Sequence, residues 1–296
     1  MAPHSAGKPR HEAATRPAFE PIRGRPSAVH PEIGWCGTAR WRIMHPMQTP
    51  RLITIGFSHY CEKVRWALDR AGMAFDEERH PPALHYRALR GLGAGRQVPV
   101  LVHAGGALGD STAILKWIDA QTPADRRLYP ADPALRAEVE QWEDRFDEVL
   151  GPHARRPVYY YGLRTPKIMR WTATRGVGWP ERVMLRLMLP FAGGFFGRKL
   201  GLSAAEVAES QAQVRGVLDA VAEHLADGRR FLVGDAFTAA DLTLASLAAP
   251  VYLPAGYGAP LPPLDQLHPE YQAWVNGLAD HPAVAFSKRM YAEERT

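Results

Sequence analysis

Apolar positions along the chain follow two rhythms. From Arg51 to about residue 121 they come in short runs separated by turn residues, and after about residue 133 they recur at helical spacing. Leu52-Ile53-Thr54-Ile55 is a short apolar, β-branched run that predicts a buried strand. Val64, Ala67, Leu68 and Ala71 then share one helical face, with Gly72 as the stop. Residues 74–78 alternate as a second strand, and 83–92 predict a short helix around Leu84, Ala88 and Leu89. Gly91, Gly93 and Gly95 mark a loop. Val98-Pro99-Val100-Leu101-Val102 predicts a strand with proline near its start, and Ala104-Gly105-Gly106 turns it into a hairpin with residues 107–109. Asp110-Ser111 opens a helix carrying Ile114, Leu115, Trp117 and Ile118. The order over 51–121 is βαβαββα.

Residues 122–133, from Thr122-Pro123 to Pro133, read as a linker, and 134–296 as an all-helical domain. Its expected segments are 134–150, 203–227, 238–249, 269–280 and 283–294, with an irregular, aromatic and basic stretch at 151–202 between the first two. That stretch holds Tyr159-Tyr160-Tyr161, Arg164, Trp171, Trp179 and Phe195-Phe196. Residues 1–50 are rich in Pro, Arg, His and Ala without a sustained apolar period. They are expected to be disordered, or to precede a natural start at Met44 or Met47. An Arg-rich, acid-poor leader also suits a transit peptide, but its prolines oppose an amphipathic helix.

Composition narrows the class. Of 296 residues 46% are apolar and 23% charged, as in ordinary globular proteins. The net charge is +5, but residues 1–46 hold seven Lys/Arg against three acids, which leaves the remainder at +1. A nearly neutral body gives no basic face for nucleic acid. The two cysteines, Cys36 and Cys61, suggest no disulfide framework and point to a reducing, cytoplasmic setting. The longest approach to a membrane span, Val183–Phe196, is interrupted by Arg186, Pro190, Gly193 and Gly194. It reads as a buried helix, without stable membrane insertion. Twelve dispersed histidines and the lack of a His-Glu-x-x-His motif argue against a metal, and no glycine-rich phosphate loop supports a nucleotide.

Four segments carry candidate chemistry. Ser58-His59-Tyr60-Cys61 places a hydroxyl and a thiol at a strand-to-helix turn, where free N–H groups and the helix dipole favour an anion. Read alone, Ser58 is better taken as only an N-cap. Gln97-Val98-Pro99 puts a proline, which cannot donate to a ladder, at the head of a strand, as an edge strand would also allow. Asp110-Ser111 opens a helix, either as an anion site or as a cap. Thr238 and Asp241 have capping-box spacing, and Phe237 with Leu242 suits a hydrophobic staple, a structural role.

In this order and at these spacings the segments resemble the glutathione transferase superfamily, across about 240 residues. Ser58-x-x-Cys61 is similar to the glutaredoxin Cys-Pro-Tyr-Cys turn with its first cysteine replaced, and Ser58 stands seven residues before the helix arginine, Arg65. The resemblance implies an α/β thioredoxin-like N-terminal domain followed by an all-α helical bundle. It implies glutathione as co-substrate, Ser58 as the catalytic hydroxyl, and a cis Val98–Pro99 bond whose preceding backbone pairs with the cysteinyl part. Gln97 would reach the glycyl carboxylate, Ser111 the γ-glutamyl carboxylate, and Asp110 the α-ammonium. It further implies an apolar electrophile and a homodimer. Tyr159, Tyr160 and Arg164 are candidates for the acceptor pocket, against a plainer reading of the tyrosines as part core and part surface. Two alternatives stay open. One is a glutathione-dependent thiol–disulfide oxidoreductase acting through Cys61. The other is a binding or regulatory protein on the same scaffold without catalysis.

Overall fold

The computed structural model describes residues 49–200 and 202–295. The expectations for the first 48 residues lie outside it.

Four strands form one mixed sheet in the order β2-β1-β3-β4: β1 (Arg51–Thr54), β2 (Asp76–Arg79), β3 (Val100–His103) and β4 (Gly106–Leu108). β1 runs parallel to β2 and antiparallel to β3, and β3 and β4 make the hairpin. Strand alternation assigns the two faces. Leu52 pairs with Leu101 and Ile53 with Val100. The first pair enters the main core, and the second packs with Leu89 on the other face. Helices α1 (His59–Arg70), α2 (His85–Ala88) and α3 (Ser111–Asp119) complete this region in the expected βαβαββα order.

The rest is mostly helical: α4 (Pro133–Arg145), a π-helical turn at Phe146–Leu150, α5 (Gly151–Arg164), α6 (Pro166–Thr174), α7 (Trp179–Leu200), α8 (Ala204–His224), α9 (Ala239–Tyr252), α10 (Pro269–Asn276) and α11 (Pro282–Glu294). All fourteen residues of α9 are buried, and α1, α4, α5 and α11 pack around it. Its start is fixed by Asp241, whose carboxylate accepts from Thr238 N and Thr238 Oγ1, both at 2.8 Å, and from Leu232 N at 2.7 Å. The expected Thr238–Asp241 cap is present.

One core joins the sheet to the helices. Fully buried Trp66 of α1 stacks on Phe237 at 5.6 Å between ring centroids and meets Tyr291 of α11 at 4.6 Å. The end of α11 is strapped back to α1. Trp66 Nε1 donates to the Glu294 carbonyl (3.1 Å), Arg70 pairs with the Glu294 carboxylate (2.9 Å), and Arg295 reaches Glu62 (3.1 Å) and Asp69 (2.7 Å).

Two expectations are corrected. The stretch at 151–202 is not irregular but carries α5, α6 and α7. Its prolines obscure the helical period, yet Pro166 occupies a first turn, where the absent N–H has no partner to lose, and Pro152 follows directly on the π-helical turn at Phe146–Leu150. Pro157 and Pro190 lie inside helices. As far as Phe191, the apolar run that starts at Val183 is not buried either. Leu185 is buried, but Val183, Met184, Leu187, Met188 and Phe191 are exposed.

Candidate active site

The turn between β1 and α1 carries the first candidate. Ser58 N donates to the Ile55 carbonyl (2.9 Å), and Ser58 takes the N-cap position in an extended conformation. Its hydroxyl makes no capping bond. It lines an open cleft of about 460 Å³ between the sheet region and the helices.

Arg65 fixes this turn. Buried beneath it, its Nη2 donates to the Gly56 carbonyl (2.9 Å), Nε to Glu77 (2.8 Å) and Nη1 to Glu62 (3.1 Å). Glu62, fully buried, also accepts from Gly258 N (2.9 Å) and Arg295. The seven-residue spacing from Ser58 to Arg65 therefore has a mechanical reason: the guanidinium returns about two turns to hold the loop that presents the hydroxyl.

Cys61 faces the other way. It is fully buried and is not among the residues that line the cleft. Burial pushes its thiol pKa up, opposed chiefly by the nearby Arg65 charge.

The neighbouring residues dock α1 onto the helices. His59 is buried with its Nε2 3.0 Å from the Gly151 carbonyl. A carbonyl only accepts, so Nε2 carries the proton. Burial, aided by the Arg155 charge, drives the imidazole pKa down to about 3 against that hydrogen bond, and the ring is neutral. Tyr60 Oη donates to the Asp147 carbonyl (2.7 Å). Gly151 permits this approach, because a Cβ there would lie 2.1 Å from Tyr60 Oη.

Deeper in the same junction is a buried ionic cluster. Lys63 Nζ of α1 lies 2.8 Å from Glu143 and 2.7 Å from Asp147. Thr112 Oγ1 of α3 lies 2.9 Å from both carboxylates, with one proton to donate to either, and Tyr129 Oη donates to Glu143 (2.7 Å). Burial works against the ammonium, but the two carboxylates outweigh it and raise the Lys63 pKa.

The cleft is lined by Gln97, Val98, Pro99, Asp110 and Ser111 as well as Ser58, so the structure gathers these candidates. The Val98–Pro99 bond is cis. Asp110 caps α3, accepting from Ala113 N (2.8 Å). Of the acceptor-pocket candidates, Tyr159 lines the cleft, and burial raises its pKa to about 12. Tyr160 and Arg164 do not. Tyr160 packs with Tyr161, Val207 and Tyr271, and the exposed Arg164 lies over the Tyr160 ring at 3.4 Å. Consecutive helical residues differ by about 100°, so only one of the two tyrosines can face the cleft.

Arg155 was not foreseen. It lines the cleft on α5, and its charge is felt at His59, Tyr60 and Tyr159. The legible signal is its place four residues before Tyr159, on the same helical face. A second, apolar cavity lined by Leu163, Met169 and Leu185 shares Tyr86 and Tyr159 with the cleft. Among the described residues, no group of three or more His, Cys, Asp or Glu is placed to hold a metal ion.

A glutathione S-transferase N-terminal domain model matches residues 52–126, and a glutathione S-transferase C-terminal domain model matches 204–277. The chain belongs to the glutathione transferase superfamily. It is similar to glutathione S-transferase U24 of Arabidopsis thaliana, 34% identical over 61 residues, or 21% of this chain and 28% of that protein. Glutathione transferase GST 23 of Zea mays is 32% identical over 97 residues, 30% of this chain and 43% of that protein. The chain thus spans less than half the length of these curated relatives. A glutathione S-transferase from Methylobacillus flagellatus, solved with glutathione bound, aligns over 83% of this chain and 96% of its own, at a TM-score of 0.51 and 18% identity. That likeness is one of fold.

Proposed function

We propose that the protein binds glutathione in the cleft and that Ser58 activates its thiol for attack on an apolar electrophile. The observation that carries this reading is the Ser58 hydroxyl, which lines the cleft at the amino end of α1 without a capping bond. Glutathione would lie against Val98–Pro99 and Gln97, with its γ-glutamyl carboxylate at Ser111 and the start of α3. Its sulfur would meet the Ser58 hydroxyl as a hydrogen-bond donor, together with the positive end of the α1 dipole. The thiolate is the nucleophile and Ser58 is not. A fall of ~2 in thiol pKa corresponds to about 2.7 kcal/mol in favour of the thiolate. Tyr159 and the adjoining apolar cavity offer a wall for the electrophile. We place the protein in the cytoplasm and expect a homodimer.

The buried, raised-pKa Cys61 counts against the oxidoreductase alternative, since the thiolate is the reactive form and needs access. The test is Ser58→Ala assayed with a generic aryl halide. Turnover should fall at least about tenfold with the glutathione KM changed less than about threefold, the pattern of a lost transition-state interaction. An unchanged kcat rejects the role. Cys61→Ala should retain turnover, and its loss would revive the alternative.

A further inference from the structure

Six of the seven large apolar side chains exposed among the described residues lie on α7: Trp179 (73%), Val183 (52%), Met184 (42%), Leu187 (65%), Met188 (40%) and Phe191 (79%). Scattered exposed apolar residues are ordinary, but a continuous band marks a contact surface. Trp179, Val183, Leu187 and Phe191 follow at intervals of four, with Met184 and Met188 beside them, so the band occupies about half the helix circumference. Leu185 lies outside this arc and is buried where α7 packs on α5 and α6.

The charge around the band has one sign. Residues 164–191 contain six Lys/Arg against the single acid Glu181, a net charge equal to the +5 of the whole chain. Glu181 is already engaged with His80 Nδ1 at 2.9 Å. Arg182 and Arg186, both exposed, lie at the edge of the apolar arc. A second copy would bring the same positive rim. The first 46 residues, with seven Lys/Arg against three acids, also carry the same sign. The complementary partner is an extended anionic surface with an apolar interior.

We propose that α7 lies in the headgroup region of an anionic membrane. Its apolar band would sink among the upper acyl chains, and Arg182 and Arg186 would pair with lipid phosphates. This is attachment parallel to the surface, and no helix among the described residues is long and apolar enough to cross a membrane. Leu187, Met188 and Phe191 also border the apolar cavity beside the cleft, so the band reaches the mouth of the proposed acceptor site, but flotation reads membrane binding without any assay of that site.

The experiment is flotation of the full chain with vesicles of phosphatidylcholine alone or with about one-third phosphatidylglycerol. The protein floats with the anionic vesicles far more than with the neutral ones, and added salt weakens the association. Leu187→Ser/Phe191→Ser and Arg182→Glu/Arg186→Glu each lower the partition coefficient about tenfold or more. Because these side chains are exposed, both variants keep the parent melting temperature, which excludes misfolding as the cause. Absence of flotation on anionic vesicles, or equal flotation by parent and variants, overturns the proposal. So does an oligomer that dissociates in Leu187→Ser/Phe191→Ser while no vesicle binding is seen, since the band would then serve self-association.

Discussion

Lys63 Nζ of α1 lies 2.8 Å from Glu143 Oε1 of α4, and both side chains are fully buried. This pair ties the helix that carries Ser58 to the helical region. Removing one member leaves an uncompensated buried charge. Lys63→Met, which strips the only cation from Glu143 and Asp147 in this cluster, should therefore destabilise the fold by about 3–5 kcal/mol. Urea unfolding measures it. A loss under about 1 kcal/mol would show that the carboxylates simply take up protons or water.

His59 makes stability depend on pH. Its folded pKa of about 3 lies below the ordinary 6.5. Above 6.5 neither folded nor unfolded chain holds the extra proton. Between 6.5 and 3 only the unfolded chain binds it, so stability falls as pH drops through that window. The slope from this residue approaches about 1.4 kcal/mol per pH unit. His59→Gln, followed by denaturant unfolding across the same range, should flatten the curve by that amount. An identical slope in parent and variant would move the effect to other groups.

Arg155 should tune the thiol. If glutathione binds as proposed, a guanidinium on the cleft wall favours the thiolate. Arg155→Gln should then raise the pKa of the bound thiol by roughly half to one unit, the size expected of a solvent-accessible charge a few ångströms away. Ultraviolet titration of the thiolate in the complex reads this directly. A pKa equal to that of the parent complex would confine Arg155 to shaping the wall.

The strands, α1 and α3 were legible because short apolar runs, glycine punctuation and capping residues agree locally. Thr238–Asp241 was legible for the same reason, since a cap is a short-range device. Residues 151–202 were not, because Pro157 and Pro190 lie within helices and break the pattern that marks one. Tyr159 and Tyr160 could not be separated without the phase of α5. The Val183–Phe196 run read as a buried helix, because apolar content alone does not tell whether protein covers it. Lys63 was not singled out, and Arg65 entered only by its spacing from Ser58. Their partners Glu143, Asp147 and Glu77 are distant in sequence, and nothing local points to them.

The strap from α11 to α1 carries a practical consequence. Glu294 and Arg295 grip Trp66, Arg70, Glu62 and Asp69, on the helix whose first turn borders Ser58. Trimming the chain before Glu294, or fusing a bulky affinity handle directly after it, would loosen the platform of the reactive hydroxyl from more than two hundred positions away. A purification tag belongs at the other end or behind a long spacer, and a C-terminally tagged preparation that turns over slowly would indict the tag before the chemistry.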